Sequence, residues 1–286
     1  MSAAMDELRR ELVQGLRGDA AARREALARI AALPRETIGA LIEDELAAAL
    51  TDTLGAAHRT DQRGAADVIA PLLPLSDTLC AALRAALASP SARLRWGVAY
   101  TLGRGLDATP ELWPAALETM MLDDGDQRWA AAELACKIAR RDPSVLDEIR
   151  AALGGASATL RKMALYCLRD LEAPDAPRLA HELLRDPDAG VRLAALSCVL
   201  RAGSGAELAR EAAATIAALL VDDPDAGVRR AAAATLGKLG VADPGVFAAL
   251  ERASRSEDPS LARAAAAALQ ALAPARGPTP GGSAPG

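Results

Sequence analysis

Apolar residues recur along this chain at a helical period, and three stretches align on sight: DPDAGVRLAALSCVL from Asp186, DPDAGVRRAAAATLG from Asp223 and SPSARLRWGVAYTLG from Ser89. In each, an arginine precedes small or aliphatic residues three and seven positions later, which places those two on one side of a helix. Extending the register finds Arg23, Arg63, Arg95, Arg128, Arg161, Arg192, Arg229 and Arg263. The position three later reads Ala26, Ala66, Val98, Ala131, Ala164, Ala195, Ala232 and Ala266. The position seven later reads Ile30, Ala70, Leu102, Ala135, Leu168, Val199, Leu236 and Gln270. Intervals of 31 to 40 residues suit a unit of two helices, and alanine in the first column lets neighbouring helices approach closely.

Helix starts agree with this register. Asp186, Asp223 and Asp258 each precede a proline, so each offers a side-chain acceptor to the first free amides of a helix, followed by a residue that tolerates the first turn. Second helices are predicted between the inner ones, over Leu75 to Ala88, Pro110 to Leu122, Pro143 to Leu153, Ala206 to Leu220 and Pro244 to Arg252. Each hairpin then exposes an apolar side that only its neighbour can cover, so the units stack. The second unit departs from the pattern, with Pro71 and Pro74 after Arg63 and a long linker from Thr51 to Thr60.

Composition reinforces the helical reading. About a quarter of the chain is alanine and only 2% is aromatic, which favours helices over sheets. The net charge of -5 argues against a surface devoted to nucleic acid. Met1 to Arg10 is charged, with no apolar run behind it, so no secretory or transit peptide is expected, and no stretch is apolar for long enough to span a bilayer. Cys80, Cys136, Cys167 and Cys198 fall in no CxxC or zinc-ligand spacing, which points to reduced thiols and a cytoplasmic protein. The tail PARGPTPGGSAPG, residues 274–286, has no apolar periodicity and is expected to be disordered.

The segments from Asp186 and Asp223 resemble HEAT repeats, in particular the short subtype named after phycobilisome lyases, and the resemblance is strongest from Ser89 to Leu272. It implies an all-α, right-handed α-solenoid of about eight two-helix repeats over residues 1–273, near 5–33, 35–71, 75–105, 110–140, 143–171, 174–202, 204–239 and 243–272. It also implies an Asp–Arg ladder along the inner helices, in which Arg192 and Arg229 serve structure beside Asp186 and Asp223.

With positions three and seven buried, positions one, five and eight or nine after the arginine should face the concave surface. Those columns hold four of the six aromatic residues, Trp96, Tyr100, Trp129 and Tyr166. Arg104, Lys137, Arg201 and Lys238 at position nine and Arg169 at position eight would add a basic margin. The expected partner-binding set is therefore Trp96, Tyr100, Arg104, Trp129, Lys137, Lys162, Tyr166 and Arg169, and the expected partner a protein, with an acidic segment fitting the margin. The competing reading is that Trp96 and Trp129 fold back and fill gaps left by small residues.

Catalytic equipment is sparse. His58 and His181 are the two histidines, and neither has a partner set for nucleophilic catalysis. Deoxyhypusine hydroxylases are similar HEAT proteins that hold two irons through several His-Glu pairs, whereas this chain has the single pair His181-Glu182. Asp123-Asp124 and Asp222-Asp223 fit helix capping, Cys167 and Cys198 fit small buried residues, and Gly154-Gly155 reads as a helix stop. No catalytic residue, cofactor or metal site is expected. A protein-binding scaffold is the leading function; the alternatives are a nucleic-acid binder resembling the HEAT-like DNA glycosylases and a bilin-lyase-like or chaperone-like subunit.

Overall fold

The computed structural model describes residues 3–200 and 206–273, which form helices and turns with no strand among them. The chain divides into two compact units, Met1–Ala152 and Leu153–Gly286. The first contains α1 (Ala3–Arg17), α2 (Ala20–Ala32), α3 (Arg35–Leu41), α4 (Asp44–Thr53), α5 (Arg59–Ile69), α6 (Asp77–Ala86), α7 (Ala92–Gly105), α8 (Trp113–Met120), α9 (Gly125–Ala139) and α10 (Pro143–Ala152). The second contains α11 (Ala158–Asp170), α12 (Ala176–Leu183), α13 (Ala189–Val199), α14 (Ala206–Asp222), α15 (Ala226–Leu239), α16 (Pro244–Ser254) and α17 (Pro259–Leu272). Arg201 and the tail 274–286 lie outside the described residues.

Every register arginine lies on an inner helix. In the first unit α2 packs on α5, α5 on α7 and α7 on α9; in the second α11 packs on α13, α13 on α15 and α15 on α17. Alanine makes this spacing possible: Ala66, Ala131, Ala195 and Ala232 are fully buried. Gly97 shows the tightest approach, since a Cβ there would stand 2.1 Å from the Leu54 carbonyl oxygen. The linker foreseen from Thr51 to Thr60 is shorter than the sequence suggests, because α4 runs to Thr53 and α5 begins at Arg59. Pro71, without an amide proton, turns the end of α5 into a 3-10 segment, Ala70–Leu75.

The motif from Asp186 to Arg192 divides its work among three residues. Asp188, not Asp186, caps α13 by accepting from the Val191 amide, and Asp225 does the same for α15 at Val228. Asp186 and Asp223 instead accept the amides two residues on, each at 2.9 Å, which closes the turn before the cap. This corrects the capping role expected for them, whereas Asp258 does cap α17. The arginine then reaches back six residues: Nη1 of Arg192 donates to the Asp186 carbonyl at 2.8 Å, and Arg229 repeats this on the Asp223 carbonyl at 2.6 Å. Arg95, Arg128 and Arg161 make the same bond to Ser89, Leu122 and Gly155. The register arginine thus satisfies carbonyls left open where the chain leaves one helix for the next.

Its remaining nitrogens build the ladder. Arg161 grips Asp186 through Nε at 2.8 Å and Nη2 at 2.9 Å, and Arg192 grips Asp223 at 2.7 and 2.8 Å. Arg229 has no third rung, because the following turn carries Ser256 where the earlier ones carry aspartate; Arg230 pairs with Asp258 on the surface instead. Two units are out of register by one. Counting four residues from the helix caps places Gln62, not Arg63, at the arginine position of α5, and Ala262, not Arg263, in α17. Gln62 is buried and donates Nε2 to the carbonyls of Leu54 (2.6 Å) and Arg93 (2.9 Å). Accordingly Ala266 and Gln270, which the column placed inside, are exposed, and Ala265 is fully buried in the place of Ala266.

Candidate functional site: a trough on the inner helices

The first unit presents a trough whose floor is α7 and whose walls are α5 and α9. Trp96, Tyr100 and Arg104 follow one another along α7 at four-residue spacing, hence on one face. Trp96 and Tyr100 meet with ring centroids 5.6 Å apart and planes tilted by 41°. The Arg104 guanidinium lies 5.3 Å over the Tyr100 ring, donates to its hydroxyl at 2.9 Å, and pairs with Asp67 of α5 at 2.9 Å. This stack is closed by its own contacts.

Trp96 is only 5% exposed, so the indole lies down between the walls instead of standing in solvent. Small Ala130 on α9 leaves room beside it, and the amides of Gln62 and Gln127 flank it. A cavity of about 400 Å³ opens over the ring, lined among others by Arg59, Arg93, Glu118 and Leu122. A narrow neck past Tyr100 and Ala130 adjoins a second cavity of about 250 Å³ toward Glu133, Leu134 and Lys137. Trp129 stands differently: at 48% it is the most exposed large apolar residue described, followed by Met121 at 46% and Leu122 at 43%, all from the α8–α9 region. Of the two tryptophans in equivalent positions, Trp96 is buried and Trp129 is exposed.

The basic margin is mostly committed. Besides Arg104, Lys137 pairs with Glu133 at 2.9 Å one turn away on α9, and Arg169 pairs with Asp170 at 2.9 Å. Arg59 bridges Asp124 and Asp126 across the trough, at 3.1 and 2.9 Å. The Asp124 carboxyl is held below its ordinary pKa first by the hydrogen bond from the Gln127 amide and then by Arg59, so it stays ionised at neutral pH. Sequence reasoning missed Gln62, Arg63 and Arg93 at the trough. Capping geometry held the signal, because the residue four after His58 is Gln62 and the next is Arg63.

Lys162, Tyr166 and Arg169 belong to the second unit, on α11. Arg169 lies 4.9 Å over the half-buried Tyr166 ring, whose hydroxyl burial pushes above its ordinary pKa. Leu220, Arg229, Arg252 and Leu261 line a cavity of about 210 Å³ elsewhere in this unit, with no aromatic wall.

The remaining candidates for chemistry occupy structural positions. His58 precedes α5 at the surface, and His181 Nε2 lies 3.2 Å from the Thr215 hydroxyl, on outer helices. The four cysteines are buried thiols. Among the described residues no group of His, Cys, Asp and Glu is arranged to hold a metal ion, and no helix is long and apolar enough to cross a membrane.

Residues 177–272 match the family model described as HEAT repeats. Those residues are HEAT repeats. The match does not single out the phycobilisome-lyase subtype. No curated protein matches the chain in sequence. Among solved structures, this chain is similar to Kap121p bound to Pho4p, with a TM-score of 0.65 and 13% identity, over 94% of this chain and 34% of that one. It is similar to importin beta at 0.55 and 16%, over 93% and 43%, and to the Escherichia coli protein YibA at 0.50 and 16%, over 95% and 92%. The chain thus spans about a third to two fifths of the length of Kap121p and importin beta. At these identities the likeness establishes the all-α solenoid fold and leaves function to the surface.

Proposed function

We propose that this chain is a non-enzymatic, cytoplasmic scaffold that holds a segment of another protein along the inner helices of the unit Met1–Ala152. The observation that carries the reading is the trough over Trp96, an apolar floor between polar walls with the exposed side chain of Leu122 in its lining. Exposed apolar side chains at the edge of a concavity are what a docking surface needs and what a surface without partners avoids. Kap121p, a similar solenoid, is seen bound to the protein Pho4p, which is consistent with this use of the fold. Tyr100, Arg104 and Lys137 border the site, and Trp129 is exposed on α9, next in sequence to Ala130 of its wall. Lys162, Tyr166 and Arg169 offer a second, smaller contact on the other unit. The test is affinity capture from the source cell with the wild type, Trp129→Ala and Ala130→Arg. A true partner is recovered by the first and lost from the other two, and recovery undiminished in both variants would sink the reading.

A further inference from the structure

Resting on that reading, we infer that the trough selects an acidic segment with one large apolar side chain flanked on both sides by carboxylates. The charges of the trough decide this. Glu118 is held by Arg95 at 2.6 Å, and Asp124 is spent on Arg59 and on the Gln127 amide. Arg63 and Arg93 are exposed, and neither side chain has a hydrogen-bond or ion-pair partner among the described residues. Only the backbone carbonyl of Arg93 is used, by Gln62.

The carboxylates are therefore internally matched while two guanidinium groups remain available, in a chain whose net charge is -5. Arg63 borders the neck and Arg93 the larger cavity, with Trp96 lining both, so acceptors for the two arginines belong on either side of whatever sits over the indole. The central side chain is apolar, because Ala56, Ala57, Ala92, Leu122 and Trp96 supply the apolar part of a lining in which Arg59, Asp124 and Glu118 are already paired. Arginine suits the flanking role, since its planar fork meets a carboxylate through two parallel bonds.

The probe is a fluorescein-labelled peptide with a single leucine between two blocks of aspartate, titrated with the full chain and followed by anisotropy at low and physiological salt. Binding should be saturable, weaken with salt, and fall about tenfold or more when Arg63→Glu and Arg93→Glu are combined. It should also fall when the leucine becomes alanine or when Ala130→Phe fills the trough. Both arginines are exposed and unpartnered, so the double variant should melt like the wild type and report on binding alone.

Equal binding of the lysine counterpart, indifference to the double reversal, or no binding at millimolar protein would overturn the inference. Tighter binding of a deoxythymidine oligonucleotide at the same arginines would overturn it in favour of nucleic acid. A captured partner that needs Ala130 but carries no acidic segment removes this inference and leaves the scaffold reading standing. Absence of any partner removes the scaffold reading whatever the peptide does.

Discussion

Replacing Arg192 by methionine tests the ladder where it is most buried. The Asp223 side chain is 1% exposed and that of Arg192 9%, so the variant strands a carboxylate that solvent cannot reach, with only the Asp225 amide left to it. It also frees the Asp186 and Pro187 carbonyls that Nη1 satisfied. Removing one member of a buried ion pair costs about 3 to 5 kcal/mol. At about 1.4 kcal/mol per decade, that accelerates by about two to three and a half decades the exchange of amides that report opening of this unit. Hydrogen exchange read by mass spectrometry on peptides from α13 and α15 measures it directly. The internal control is Arg230→Met, whose pair with Asp258 is 43% and 30% exposed and contributes less than about 1 kcal/mol, under one decade. Combining Arg192→Met with Asp223→Asn should recover much of the loss, because no bare charge then remains inside while the turn keeps its acceptor. Exchange in Arg192→Met no faster than in Arg230→Met would refute the assignment of the buried rung.

The same physics gives opposite outcomes for two glycines. Gly97→Ala drives a methyl against the Leu54 carbonyl and the Gln62 amide and should cost about 2 kcal/mol or more in urea unfolding, whereas Gly64→Ala, with nothing within 4 Å on the middle of α5, should gain up to about 1 kcal/mol. Gln62→Leu leaves the carbonyls of Leu54 and Arg93 without their donor and should cost about 1 to 3 kcal/mol; a midpoint equal to the wild type would show that Gln62 does not replace the arginine. For Asp186, burial acts to raise the pKa, but the hydrogen bonds from Arg161 and the Asp188 amide outweigh it and the net shift is downward. A depressed carboxyl contributes its stability fully above the unfolded value of about 4 and loses it as pH falls through the lower folded value. The stability gap between wild type and Asp186→Asn should therefore narrow in urea titrations below about pH 4, and a gap unchanged there would contradict the pairing.

The repeat was legible because close helix packing demands small residues at fixed spacing, and alanine in one column can be seen without coordinates. The turn before each inner helix was less so. Two aspartates stand two residues apart in the same motif, and which caps and which forms the rung depends on backbone direction that spacing does not encode. Gln62 was invisible to a register built on arginine, since an amide can supply the same donors from a different residue type. The surface columns located the aromatic face and misjudged its accessibility. Trp96 and Trp129 occupy equivalent positions, yet one indole lies in the trough and the other stands out. Pairing separates the basic residues further: Arg104, Lys137 and Arg169 meet carboxylates, two of them on their own helix, whereas Arg63 and Arg93 meet none among the described residues.

Site-directed photocross-linking tests the central claim most directly. A photoreactive residue is placed at Ala130, in the trough, and in a second variant at Ala81, exposed on the outer helix α6, and each chain is expressed in the source cell. Discrete protein adducts from position 130, absent from position 81 and removed by the acidic leucine peptide in lysate, are the predicted result. Equal adducts from both positions, or adducts from position 81 alone, would contradict partner binding on the inner helices.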